Sequence, residues 1–359
     1  MESSLETWRA PLLELTLAPF DEPLSSLATV SVNQTAEAPR LAIEFGVPVA
    51  RSEAALREQI AESLPALDQS QLDLSFQIKT HAVRRNLKPL GDIRNIIAVA
   101  SAKGGVGKST TTINLALALA SEGARVGVLD ADIYGPSVPR MLGVADSRPR
   151  SDDGKIIQPV EGHGLKCMSI GFLVDEDQPM VWRGPMVTQA LRQLLNDTAW
   201  GELDYLIVDM PPGTGDIQLT LSQQVPVSGA IIVTTPQDIA LLDARKGLKM
   251  FEKVEVPVLG VIENMSGYLC PKCGHEADIF GSGGGELMAH ADSVPFLGAV
   301  PLDIRIRQEL DAGHPTLIQD PDGELATRYR HMALKAAAKL RAGGTDYSRL
   351  FPNIVVENS

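Results

Sequence analysis

The sequence predicts an α/β protein: a doubly wound, mostly parallel sheet with helices on both faces, behind a small N-terminal α+β domain. Three observations carry that prediction. Short apolar, β-branched runs recur at residues 96–100, 125–130, 205–209, 230–235, 257–264 and 296–300. They are mostly continuous rather than alternating, as strands buried on both faces are. Helix-period segments lie between several of them, the mark of crossover connections in a parallel sheet. The first run then passes directly into a Gly-rich loop and a helix, where an α/β sheet holds its ligand.

That stretch, residues 96–109, reads IIAVASAKGGVGKS. Strand, Gly-rich loop, Lys-Ser and helix form the context a phosphate-binding P-loop requires. Gly104, Gly105 and Gly107 let the backbone curl and point N–H groups inward. The helix N-terminus behind them adds partial positive charge. Lys108 is placed to reach the β- and γ-phosphates, and Ser109 to put its hydroxyl on Mg²⁺. The expected ATP-binding set is therefore Gly104, Gly105, Val106, Gly107, Lys108, Ser109 and Thr110.

The general pattern has Gly six places before Lys108; here Ala102 stands there and Lys103 follows. The form K-G-G-V-G-K-S resembles the deviant P-loop of the MinD, ParA and nitrogenase iron protein class. The resemblance implies that Lys103 reaches across a dimer interface to the partner's nucleotide, a catalytic role beside Lys108.

Three strand-end carboxylates support the same site. The run ending Asp130-Ala-Asp132 places Asp130 to hold a Mg²⁺-bound water and Asp132 to orient the attacking water. Tyr205-Leu-Ile-Val-Asp209 has the Walker B form, in which Asp209 bonds the Mg²⁺ shell. Residues 210–216, M-P-P-G-T-G-D, suit a switch loop that senses the γ-phosphate. Asn264 can both donate and accept, as an adenine edge requires. Pro301 opens the loop after the last strand, where base or ribose would lie.

Composition narrows the function classes. The 359 residues hold 32 Lys and Arg against 45 Asp and Glu, a net charge of −13. An acidic chain argues against non-specific binding to nucleic acid or anionic lipid. The first residues lack a basic segment leading into a long apolar core, and no run is long enough to span a bilayer. Three cysteines, Cys167, Cys270 and Cys273, make no disulfide framework, so a cytoplasmic location is expected.

Residues 1–85 read as a separate β-α-β unit: a strand at 41–45, a helix capped by Ser52 with Leu56, Ile60 and Leu64 on one face, and a strand at 72–78. Residues 86–94 read as a linker, 95–345 as the ATPase domain and 346–359 as a tail. Residues 144–164 are a loop or hairpin, residues 165–170 a strand with Cys167 as a buried small side chain. Trp182 leads into a helix, residues 280–286 form a hinge or helix start, and a basic helix over 323–341 closes the chain.

Cys270-Pro-Lys-Cys273 places two thiolates within reach of one metal or cluster. A cluster wants about four soft ligands. Two chains meeting on a twofold axis would supply them. A redox dithiol, or half a zinc knuckle with His275, are the other readings.

Taken together, residues 103–109, 130–136, 209–216, 263–265 and 270–273 resemble the Mrp/ApbC family of iron–sulfur cluster carrier ATPases, within the MinD/ParA-like class. The resemblance covers residues 93–345. It implies a P-loop NTPase fold, a homodimer, slow ATP hydrolysis, and a [4Fe–4S] cluster bridged by Cys270 and Cys273 of both subunits and passed to apo iron–sulfur proteins. It also implies an N-terminal domain of the iron–sulfur assembly type, although residues 47–52 hold no Cys where such domains often carry one. A positioning ATPase and an ATP-gated electron-transfer protein are the alternatives. The first leaves the cysteine pair unexplained, and the second requires a redox partner.

Overall fold

The computed structural model describes residues 10–34, 39–64, 69–81, 90–151, 154–173 and 184–343, with positions 83 and 87. Trp182, expected to lead into a helix, and the expected tail from 346 lie outside the described residues.

The N-terminal unit is a three-stranded sheet of β1 (Ala28–Gln34), β2 (Pro39–Phe45) and β3 (Leu72–Phe76). Helix α1 (Glu53–Ser63) links the parallel pair β2 and β3, so the β-α-β pattern is present. The antiparallel strand β1 is an addition to that pattern. Its inward residues are small, Ala28, Val30 and Val32, and give a weak alternation. Ser52 sits at the N-cap of α1 but makes no capping bond. Its hydroxyl instead donates to Glu122 Oε1 at 2.7 Å, and Glu122 Oε2 accepts from the Arg51 and Ser52 N–H groups at 3.1 and 2.9 Å.

Glu122 closes helix α2 (Lys108–Ser121), the helix behind the P-loop. The carboxylate is 1% exposed, so three donors compensate a charge withdrawn from water. The N-terminal unit is thus tied to the far end of the P-loop helix. One apolar core runs from Leu12 to Leu340 through both parts.

The large sheet contains β4 (Ile93–Ala100), β5 (Val126–Asp130), β6 (Val160–Gly162), β7 (Leu165–Ser169), β8 (Leu203–Asp209), β9 (Gly229–Thr234), β10 (Val258–Asn264) and β11 (Phe296–Val300). Their order is β11-β10-β9-β4-β8-β5-β7-β6, and every pairing is parallel except β6 with β7. His163 and Gly164, at φ 51° and 80°, make the turn of that edge hairpin. Strand β4 starts at Ile93, so Ile93 and Arg94 of the expected linker are strand. Strands β8 and β9 are buried along their whole length, which is why residues 205–208 and 230–233 read as unbroken apolar runs.

The remaining longer helices are α3 (Gly184–Asn196), α4 (Asp216–Gln224), α5 (Asp238–Lys253), α6 (Gly284–Ala291), α7 (Ile304–Asp311) and α8 (Glu324–Ala342). Helix α8 packs on α2 and β11, with Tyr329, Met332, Leu334 and a row of alanines buried. Burying each large apolar side chain contributes about 1.5–3 kcal/mol. Two of its basic residues face the N-terminal unit: Lys335 pairs with Asp21 at 2.6 Å and Lys339 with Glu22. The chain leaves β4 toward β5 and β7, returns to β8 beside β4, then builds β9, β10 and β11 on the other side. Ligands of such sheets sit above the carboxyl ends, where the winding reverses.

Candidate functional site

The P-loop leaves β4 and enters α2 at Lys108, with Gly107 as N-cap at φ 84°. A Cβ on Gly107 would also meet Asn264 Nδ2 at 2.0 Å, so only glycine fits both backbone and neighbour. Asn264 Nδ2 donates to the Val106 carbonyl at 2.9 Å. The residue expected to read an adenine edge therefore spends a donor on holding the phosphate loop.

The charged centre is compact. Lys108, 6% exposed, lies 2.8 Å from Asp209 Oδ1 and 3.6 Å from Asp132 Oδ2. Ser109 donates to Asp209 Oδ2 at 2.5 Å, and Thr112 to Asp209 Oδ1 at 2.8 Å. The Thr112 contact, one helical turn past Lys108, carries no signal in the sequence. Asp130 is fully buried and accepts from the Asp132 and Val138 N–H groups at 3.1 and 3.3 Å and from Ser169 Oγ at 3.0 Å. Burial, then the charge of Asp209, pushes its carboxyl above the ordinary range, against the pull of Lys108. Burial likewise raises Asp132, with Lys108 opposing.

Three carboxylates thus face one ammonium. Hard oxygen donors of this kind are the type Mg²⁺ takes one or two at a time, keeping its other ligands as water. No group of three or more His, Cys, Asp or Glu residues placed to hold a metal by themselves occurs among the described residues.

Two cavities flank the loop. One, of about 170 Å³, is lined by Gly105, Gly107, Lys108, Ser109, Thr110 and Asp132 among others. The other, of about 540 Å³, lies between Lys103–Val106, the start of α5, Met265 and Phe280. Pro301 lines neither. The expected switch loop is attached at the same place: Met210 N–H donates to Val99 O at 3.0 Å and Gly213 N–H to Ser101 O at 2.9 Å. Lys103, 39% exposed, pairs within the chain with Asp243 of α5 at 3.1 Å.

The two cysteines sit on a projection after β10. Tyr268–Leu269 and Glu276–Ala277 pair as a minimal antiparallel ribbon. Cys270 N–H donates to His275 O, and Gly274 N–H to Cys270 O, both at 2.9 Å. Cys273 is exposed and Cys270 half-buried. Backbone N–H groups of Lys272 and Cys273 lower the Cys270 thiol below its usual value, and the Cys273 thiol and Tyr268 hydroxyl assist. Cys167 is fully buried on β7, five places along the sheet from β10, about 24 Å at the usual strand spacing. Burial pushes its thiol well up. The structure brings Cys270 and Cys273 together and leaves Cys167 in the core, as expected.

A strand, phosphate loop and helix, with a strand-end aspartate bonded to the loop's serine, define a P-loop nucleotide-binding protein. The NUBPL iron-transfer P-loop NTPase family (ParA) matches residues 92–337. The chain belongs to that family. It is 53% identical over 305 residues to the iron-sulfur cluster carrier protein of Haemophilus influenzae, covering 84% of this chain and 82% of the relative. Among solved structures it is similar to a nucleotide-binding protein of Archaeoglobus fulgidus in complex with ADP, with a TM-score of 0.57 at 37% identity, covering 65% of this chain and 91% of that one. The cell division ATPase MinD of Pyrococcus furiosus, at 22% identity and a TM-score of 0.50, covers 67% of this chain and 97% of its own and shares the fold. No helix among the described residues is long and apolar enough to cross a membrane.

Proposed function

We propose that this chain is a slow ATPase that carries iron–sulfur clusters, acting as a cytoplasmic homodimer that passes a [4Fe–4S] cluster to apo-proteins. The observation that carries this reading is the placement of a P-loop and a cysteine pair, Cys273 exposed and Cys270 half-buried, at the same end of one sheet. The name of the Haemophilus influenzae relative and the ADP held by the Archaeoglobus fulgidus protein support its two halves.

At the nucleotide, Lys108 exchanges its contact with Asp209 for the β- and γ-phosphates, and the loop N–H groups hold their oxygens. Magnesium, when bound with the nucleotide, supplies charge neutralisation across those phosphates. Ser109, Asp209 and Asp130 are the residues that would hold it. Asp132 orients the attacking water from the wall of the smaller cavity. Lys103 exchanges Asp243 for the nucleotide of the partner subunit. At the cargo, a cubane needs about four thiolates, and a twofold dimer supplies them as two copies of Cys270 and Cys273. The apolar side chains Ile239, Leu242, Leu269, Ile279 and Leu287 are more than half exposed on α5, the cysteine projection and α6, and suit a dimer face.

The test is anaerobic reconstitution with iron and sulfide, followed by spectroscopy and metal counting. The expected result is one four-iron cluster per dimer, lost in Cys270→Ala and Cys273→Ala and kept in Cys167→Ala. Zinc in anaerobically purified protein, or a cluster held by a stable monomer, would overturn it.

A further inference from the structure

Glu263 and Asn264 are consecutive residues at the carboxyl end of β10, and they serve different sites. Asn264 holds the phosphate loop through the Val106 carbonyl. Glu263, 0% exposed, accepts from Ser266 Oγ at 2.5 Å, from Gly283 N–H at 2.8 Å and from Gly285 N–H. Ser266 lies just before the cysteine projection. Gly283 and Gly285 lie just after it, at the first turn of α6. One buried carboxylate therefore binds both feet of the projection and caps the positive end of a helix. The approach is tight: a Cβ on Gly285 would meet Glu263 Oε2 at 3.0 Å. Gly267 N–H donates to Gly281 O at 3.2 Å, closing the base between the feet.

The nucleotide side meets the same feet. Met265 and Phe280 flank the projection on either side, and both line the 540 Å³ cavity with Lys103, Gly104, Gly105 and Val106. A ligand on the phosphate loop in that cavity touches the roots of the metal-binding arm.

We propose that Glu263 and Asn264 are positioning residues that couple the phosphate loop to the two-cysteine arm. A displacement of Val106 reaches Asn264 directly, and the next residue, Glu263, passes it to both feet together. This rests on the reading of Cys270 and Cys273 as cargo ligands. Coupling of this kind is reciprocal: nucleotide alters metal affinity by the factor by which metal alters nucleotide affinity.

The experiment uses the full chain and cobalt(II) as the probe, because cobalt–thiolate absorption reports the cysteine pair without cluster assembly or turnover. Cobalt affinity is measured by chelator competition with and without Mg-ADP, and ADP affinity with and without cobalt. Wild type is expected to give the same coupling factor both ways, about fivefold or more. Glu263→Gln replaces one acceptor oxygen with a donor facing a backbone N–H. It should bring the factor to about one while leaving ADP affinity and cobalt stoichiometry, each measured alone, near wild type. Ser266→Ala removes one of the three bonds and should lower the factor partway; it carries the test if Glu263→Gln does not fold. A folded Glu263→Gln, or else Ser266→Ala, with the wild-type factor overturns the proposal, as does a wild-type factor of one. Cobalt absorption that persists in Cys270→Ala instead overturns the ligand assignment beneath it.

Discussion

The phosphate loop and the cysteine arm leave the same end of the same sheet and are built in opposite ways. Around the loop, Lys108, Asp130 and Asp209 are buried, and each has its partners within the chain. On the arm, residues 271–276 are all exposed, and the ribbon is two residues long on each side. The difference suits the two tasks proposed above. Charge stabilisation in a transition state works best with groups fixed in advance and shielded from water. A cargo that must be handed over needs ligands that a recipient can reach.

The largest expected effect separates the two regions. Lys108→Ala should cut ATP hydrolysis by about 10²–10³-fold or more in steady-state assays. Cys270→Ala should stay within a few-fold of wild type in the same assay, since its side chain lies outside both loop cavities. Wild-type turnover in a folded Lys108→Ala protein would remove the loop from the chemistry.

Next in size is thiol accessibility. Alkylation followed by peptide mass spectrometry should label Cys270 and Cys273 more than about tenfold faster than Cys167, whose sulfur is reached only by opening the sheet. Comparable rates would mean that β7 is not the closed strand described.

A pH experiment sharpens the loop side. Because Asp130 carries a raised carboxyl pKa in the fold, the native chain keeps a proton that the unfolded chain has already lost. Its contribution to stability therefore falls as pH rises from the ordinary unfolded value of 3.8 through the raised folded one. Urea melts between pH 4 and 7.5 should show Asp130→Asn gaining on wild type across that window, by about 1.4 kcal/mol for every tenfold difference in proton affinity between the folded and unfolded chain. A difference independent of pH would count against a buried, proton-holding Asp130.

The smallest effect concerns Lys103. Its pair with Asp243 is partly exposed on both sides, and Asp243 also pairs with Lys246, so Asp243→Ala should change stability little in a urea melt. Lys103→Ala should bind ATP and hydrolyse it poorly. Mixing it with Lys108→Ala protein should restore part of the activity if the lysine acts across a dimer. No restoration in mixed dimers, once their formation is demonstrated, would confine Lys103 to its own chain.

Much of this is legible in the sequence because the informative features are local. Glycines, Lys108 and Ser109 fall within a few residues, and six of the eight strands of the central sheet contain a short apolar run that needs no partner to be recognised. What escapes is long-range. Nothing near Lys103 points to Asp243, 140 positions on, or near Glu263 to Gly283 and Gly285. Ser52 has the right type for a cap, but Glu122 of another element offers its hydroxyl a better partner. Strand β1 leaves little trace because its inward side chains are small, and helix α7 because only Ile306 and Leu310 of it are buried. Local chemistry proposes the partners, and the fold then chooses among them.

The closed base of the cysteine arm has an engineering consequence. The Gly267–Gly281 bond brings the ends of the excursion together, so the chain enters and leaves it at nearly one point. The entropy of closing that loop is met at the base rather than along its length. The arm is in that sense a cassette: residues 268–279 are open to exchange for a tight turn, which keeps Phe280 on the nucleotide side, or for a loop with other ligands, giving one nucleotide-binding frame a different freight.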